Sequence, residues 1–141
     1  MISFNQIKKY LNPLKYKNSK YVKFKDVRVG FNENKQPFFV ARTTSPYIWD
    51  PRLRRRVTNP TKDNVYTTVI EVLNKSGKVK LSCSCPDFLF RHEVALFTKD
   101  AADIEYSNGQ FPEITNPLLH PSCCKHCLAL YEALHKKKLV K

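Results

Sequence analysis

The sequence predicts an α+β fold in which a small antiparallel sheet is closed by a C-terminal helix, the last strands and the helix forming a ββα unit. Three observations carry that reading. Residues 65–73 are dense in β-branched side chains, residues 78–85 alternate apolar and polar without a break, and Asn74-Lys75-Ser76-Gly77 between them is turn chemistry. Cys127, Leu130, Tyr131 and Leu134 follow i, i+3, i+4, i+7 spacing, so 124–138 reads as an amphipathic helix. Its last turn carries Lys136 to Lys138, which suits the negative end of the helix dipole. Finally, a hydrophobic fraction of 42% with 12% aromatics over 141 residues is that of one globular domain with a modest core.

The remaining elements follow in order. Ser3 is placed to cap a short helix whose apolar positions are Phe4, Ile7 and Leu11, and which ends before Pro13. Residues 21–29 alternate as a strand, 30–36 are turn-like, and Pro37 to Thr44 form a second strand. Ser45 to Pro60 has no clear period and reads as an exposed loop. Residues 86–98 open a short helix. Residues 99–122, with Asn108-Gly109, Pro112, Pro117 and Pro121, read as an irregular insertion. The chain thus divides into a basic N-terminal region (1–63) packed with the rest and a C-terminal unit (64–141) interrupted at about 87–120, together one compact domain.

No apolar run approaches the roughly 18 residues of a membrane-spanning helix. The basic N-terminus lacks the apolar stretch of a signal peptide. No repeat at a 20–50-residue period is visible. The expected setting is intracellular, or within a virus particle, with no membrane partner. In a reducing compartment, five cysteines gathered at two places argue for metal rather than disulfides.

Side chains alternate along a strand, so Cys83 and Cys85 point the same way at the end of the second hairpin strand. The other cluster, Pro121-Ser-Cys-Cys-Lys-His-Cys127, opens the helix, with Cys124 at or before its first turn and His126 within it. Zinc takes four tetrahedral nitrogen or sulfur ligands, and a strand-end pair facing a helix-start pair supplies them. The positive end of the helix dipole also favours thiolate there. The set is therefore Cys83, Cys85, Cys124 and His126, with one structural Zn2+. Cys123 in place of Cys124, or a register using Cys127, stays open. Cys127 belongs to the helix's apolar stripe and is expected in the core; His92 and His120 lack paired spacing and are expected on the surface or in loops.

Cys83-Ser-Cys85-Pro-Asp-Phe88 with Cys124-Lys-His126 resembles the SWIM zinc finger, Cys-x-Cys then Cys-x-His in a ββα setting, over roughly residues 64–138. The resemblance implies zinc binding and a role in contacting DNA or protein. The 38 residues between Cys85 and Cys124 are a departure, longer than the family's usual gap, and are read as an inserted excursion.

Four ligands close such a site, whereas catalytic zinc keeps a position open for water. No Ser/His/Asp set, phosphate loop or paired carboxylate is evident, so no enzyme and no small-molecule substrate are expected. Charge speaks to partners instead. The net charge is +13, and residues 1–60 hold 14 Lys/Arg against 3 Asp/Glu, whereas residues 61–141 hold 11 against 9. Six acids fall within 87–113, so the acidic stretch and the basic half are expected to face different partners. Arg52, Arg54, Arg55 and Arg56 beside Trp49, extended by Lys8 and Lys9, suit phosphate backbones. The expected function is a zinc-stabilised module binding nucleic acid, DNA ahead of RNA. The alternative is a small structural or adaptor subunit of a larger assembly such as a virion or polymerase complex, docked on protein partners.

Overall fold

A computed structural model describes residues 1–105, 107, 109, 112–113 and 115–141. Four strands, β1 (Lys23–Phe31), β2 (Pro37–Thr44), β5 (Tyr66–Val72) and β6 (Val79–Cys83), form an antiparallel sheet in the order β1-β2-β5-β6. A separate two-stranded ribbon pairs β3 (Tyr47–Asp50) with β4 (Arg55–Thr58). The helices are α1 (Phe4–Lys8), α2 (Pro13–Ser19), α3 (Glu93–Phe97) and α4 (Lys125–Lys136), with a π-helical turn at Phe88–His92 leading into α3. The α+β class, with its small antiparallel sheet and C-terminal helix, is the one the periodicities predict.

Alternation sets which face of the sheet is covered. Phe39 pairs with Ile70 and Ile70 with Leu81, so these three share the inner face, and all three are buried. Helix α4 supplies the facing layer through Leu128, Leu130, Tyr131 and Leu134. The first helix joins this core from the other end of the chain. Ser3 and Gln6 make a reciprocal capping box, and Phe4 stacks on Tyr131 with centroids 3.9 Å apart and planes 6° from parallel. Because β2 pairs with β5, residues 1–63 and 64–141 share one sheet as well as one core.

Three sequence expectations are corrected. Pro13 does not merely follow a helix: it is the first residue of α2, where its missing N–H costs nothing and its fixed φ fits. Asn12 caps that helix by accepting from the Lys15 amide at 2.9 Å. Residues 45–60 are not a loop but contain the β3–β4 ribbon, with Tyr47, Ile48 and Trp49 facing Thr58, Val57 and Arg56. Its turn is held by Asp50 Oδ1, which accepts from the amides of Arg52 (2.9 Å) and Leu53 (3.2 Å), and by Arg54 at φ 51°. His92, expected at the surface, is 5% exposed; His120 is exposed, as expected.

The insertion opens with the short helix expected near 86–98, and no helix or strand follows among the described residues before α4. Asn108, one of the residues that mark the irregular insertion in the sequence, lies outside the described residues. Glu93 is fully buried, and its Oε1 accepts from Glu105 N, Ser107 N and Ser107 Oγ. Asp87 pairs with Lys15 and Arg91, and Asp103 with Lys80. Glu105 Oε2 accepts from Ser82 Oγ at 3.2 Å, so four of the six acids, Asp87, Glu93, Asp103 and Glu105, have partners within the chain.

Phe4 →Ala should leave a cavity between α1 and α4 and cost about 3–5 kcal/mol. Urea unfolding checks this; a loss below about 1 kcal/mol would show that α1 is dispensable to the core.

Candidate metal centre

Cys83 ends β6 on the inner face, opposite Thr68, and Cys85 follows two residues later. Cys124 is the N-cap of α4, with extended backbone and no capping hydrogen bond from its side chain; His126 lies in the first turn. These four side chains, brought together from a strand end and a helix start, have potential donor atoms all within 4.8 Å of one another. All four are buried, His126 being the most exposed at 3%.

The donor set fits a metal ion on two grounds. The first is an orphaned nitrogen. His126 Nε2 lies 3.0 Å from Ser45 Oγ, while its buried Nδ1 has no hydrogen-bond partner. A metal on Nδ1 would leave the ring proton on Nε2 to donate to Ser45, the usual way a ligating imidazole is oriented.

The second ground is electrostatic. Burial pushes the Cys83 thiol well up, and hydrogen bonds to Cys124 and Cys83, with burial, push Cys85 up too. Burial opposes ionisation of Cys124 as well, but the thiols of Cys127, Cys83 and Cys85 hydrogen-bond to it and hold it well below the ordinary thiol range. Without a cation, burial and contact between the sulfurs favour charge on one of them at the expense of the others. A divalent cation would reverse the balance by supplying the charge that three thiolates need.

Outer hydrogen bonds hold the sulfurs in place. Thr68 Oγ1 lies 3.4 Å from Cys83 Sγ and 3.2 Å from Thr43 Oγ1, and the Phe88 amide donates to Cys85 Sγ at 3.4 Å. Of the cysteines left open by the spacing, Cys127 is fully buried in the core and outside the four-residue group, with its Sγ 4.0 Å from Ser82 O. Cys123 is also buried, and its carbonyl accepts from Lys15 Nζ at 2.8 Å. A cavity of about 380 Å³ borders Cys85, Cys124 and His126, with Asn12, Asn18 and Lys125 also on its walls.

Lys15 explains why His92 is inside. Its ammonium contacts Asp87 Oδ2 at 2.8 Å and His92 Nε2 at 2.5 Å, besides the Cys123 carbonyl. Burial lowers the His92 pKa, so the ring is neutral and accepts from Lys15. Burial opposes ionisation of Asp87, but the Lys15 ammonium at 2.8 Å holds its carboxyl below the ordinary carboxylate range. With the imidazole neutral, the cations facing Asp87 are Lys15 and Arg91.

The four arginines Arg52, Arg54, Arg55 and Arg56 are exposed on the ribbon and make no ion pair among the described residues. Trp49 lies on the same ribbon with Lys17 Nζ 3.9 Å from its ring centre, and Arg56 sits 4.2 Å from the ring centre of Tyr47. Lys9 is exposed, but Lys8 is engaged by Glu132 at 2.8 Å against α4. Sequence reasoning missed Ser45, Asn59, Thr68 and the Lys15 cluster, because only tertiary contacts reveal them. No family model, curated protein or solved structure matches the chain, so the SWIM resemblance rests on its residues alone.

Two predictions follow from this geometry. Lys15→Ala strands the His92 nitrogen and the Cys123 carbonyl and should cost about 1–3 kcal/mol, read as a lower urea midpoint. Both the His92 and Asp87 shifts are downward, so the folded chain binds fewer protons than the unfolded one. Their contribution is full above the unfolded values, about 6.5 and 3.9, and declines below each. The urea midpoint should fall between pH 7 and pH 5; a flat profile would mean that His92 is charged in the fold.

Proposed function

We propose that this chain is a zinc-stapled, non-enzymatic module that binds nucleic acid, DNA ahead of RNA, largely through backbone phosphates. The observation that carries the reading is the β3–β4 ribbon: four consecutive-region guanidinium groups, exposed, with no acidic side chain paired to them among the described residues. Unpaired arginines held on a two-stranded ribbon suit phosphate oxygens, which take bidentate contacts from guanidinium. Three sulfurs and one imidazole are the donors of a closed tetrahedral zinc site, and soft thiolates favour zinc over the oxygen-seeking cations. Such a site holds a strand end against a helix start and offers no position for a reacting water. The resemblance of Cys83-Ser-Cys85 and Cys124-Lys-His126 to a SWIM finger supports the same reading.

A second reading, an adaptor subunit in a larger assembly, is favoured by one specific feature. On the open edge strand β1, Val27, Val29 and Phe31 point to the inner face yet are 47%, 60% and 70% exposed. An apolar strand edge of that kind suits a protein partner.

Metal analysis of the purified chain should give one zinc per chain. Structural zinc in small modules contributes on the order of 10 kcal/mol, as much as a typical domain's whole stability of about 5–15 kcal/mol. Cys85→Ser, or a strong chelator, should therefore collapse the ββα unit in circular dichroism; unchanged melting after chelation would remove the staple from the proposal. Binding to mixed-sequence duplex DNA should weaken steeply with salt, and Arg54→Ala with Arg55→Ala should reduce the log–log slope by about 2. Absent or salt-independent binding would leave the adaptor reading standing in its place.

A further inference from the structure

The arginine ribbon is not hydrogen-bonded into the four-stranded sheet, so what holds it must be found elsewhere. Its two feet are Ser45, two residues before β3, and Asn59, the residue after β4. Asn59 Nδ2 donates to the Ser45 carbonyl at 2.8 Å, and the Asn59 amide donates to the Pro46 carbonyl at 3.0 Å. Both residues are buried, at 3% and 8% exposure. The feet are thereby locked to each other. Ser45 Oγ then meets His126 Nε2 at 3.0 Å, which ties the locked pair to an imidazole of the metal centre.

The ribbon's second support runs to the same place. The Trp49 amide donates to Asn18 Oδ1 on α2 at 2.8 Å, and Lys17 of α2 covers the Trp49 ring. Helix α2 is itself pinned by Lys15, whose ammonium reaches the Cys123 carbonyl and Asp87. Cys123 adjoins Cys124, and Asp87 lies two residues beyond Cys85. Both supports of the ribbon thus end at residues that are, or flank, the donor cluster.

We infer that metal occupancy sets the order of the arginine ribbon, with Ser45 as the positioning residue that links the two. When Nδ1 is bound to the metal, the His126 ring cannot rotate, its proton is fixed on Nε2, and Ser45 has a stationary donor. Without the metal the ring turns about its own bonds, the Ser45 hydroxyl loses its partner, and the buried Ser45–Asn59 lock is unseated. The ribbon's arginines then lose the fixed spacing that simultaneous phosphate contacts require. The consequence for nucleic acid rests on the function proposed above; the coupling of ribbon to metal does not.

Removing the metal could unfold the whole chain, so the test uses zinc-loaded wild type, Ser45→Ala and Ser45→Thr. Ser45→Ala should still take up one zinc but lose about 10–100-fold in metal affinity by chelator competition, the usual cost of removing a ligand's hydrogen-bond partner. Amides of residues 47–58 should exchange with solvent roughly tenfold faster, while those of β2 and β5 stay as in wild type. Ser45→Thr, which keeps the hydroxyl, should restore both readings. Unchanged metal affinity and ribbon exchange in Ser45→Ala would overturn the inference. So would faster exchange spread evenly over sheet and ribbon, since that marks general destabilisation, or a threonine variant as impaired as alanine. Duplex DNA binding by the same three proteins separates the two proposals. A zinc-loaded wild type that binds no duplex overturns the nucleic-acid reading, while the exchange and affinity results still decide the role of Ser45.

Discussion

Three thiols and an imidazole, buried with their donor atoms within 4.8 Å of one another, are the constraint on which the rest of the structure depends. Burial and contact with the neighbouring sulfurs push the Cys83 and Cys85 thiols up, while hydrogen bonds from its neighbours bring Cys124 down. No arrangement of these groups alone lets all three sulfurs ionise at such separations in a dry interior. A divalent cation would resolve that conflict, and the orphaned His126 Nδ1 could serve as the fourth donor. The conflict also explains the topology. Cys83 and Cys85 end a strand and Cys124 and His126 begin a helix, so satisfying the cluster docks α4 on the sheet at a fixed point.

That docking reaches the whole chain because the N-terminal half is built into it. Phe4 stacks on Tyr131 of α4, Lys15 of α2 reaches the Cys123 carbonyl, Thr43 of β2 supports Thr68 behind Cys83, and Ser45 holds His126. Each contact joins residues more than twenty positions apart, and the last three converge on the donor cluster or its neighbours. The insertion is organised in the same inward sense. Glu93 is a buried peg for the backbone of residues 105 and 107, and Asp87 is spent on Lys15 and Arg91. Acidity that looks in the sequence like a separate surface is therefore partly consumed inside, and it leaves the basic ribbon uncompensated.

What was legible in the sequence follows from how local the signal is. The β5–β6 hairpin and α4 carry clean periods of 2 and 3.6, and the ligand pairs sit at their ends, so the fold class and the donor group could be read without tertiary knowledge. Helix α2 could not, because Pro13 signals an end as strongly as a beginning and only the Asn12 cap distinguishes them. The β3–β4 ribbon was hidden for a different reason. Its strands are four residues each, and the arginine run at 54–56 masks the alternation of β4. The buried His92 and the Ser45–His126 contact were beyond reach altogether, since both depend on partners at 77 and 81 positions' distance.

The ring contacts on the ribbon narrow what its surface is suited to meet. Trp49 and Tyr47 would serve single-stranded bases as stacking platforms if their faces were open. Instead each has one face covered by a cation of this chain, Lys17 over Trp49 and Arg56 over Tyr47. The rings are seats for positive groups, and under the nucleic-acid reading proposed above cations held in position would favour a partner whose negative charges are regularly spaced. A phosphate backbone has that regularity whatever its base sequence. An arginine ribbon whose feet are locked at Ser45 and Asn59 gains from such regularity, because ordering it in advance lowers the entropy that each new contact would otherwise cost.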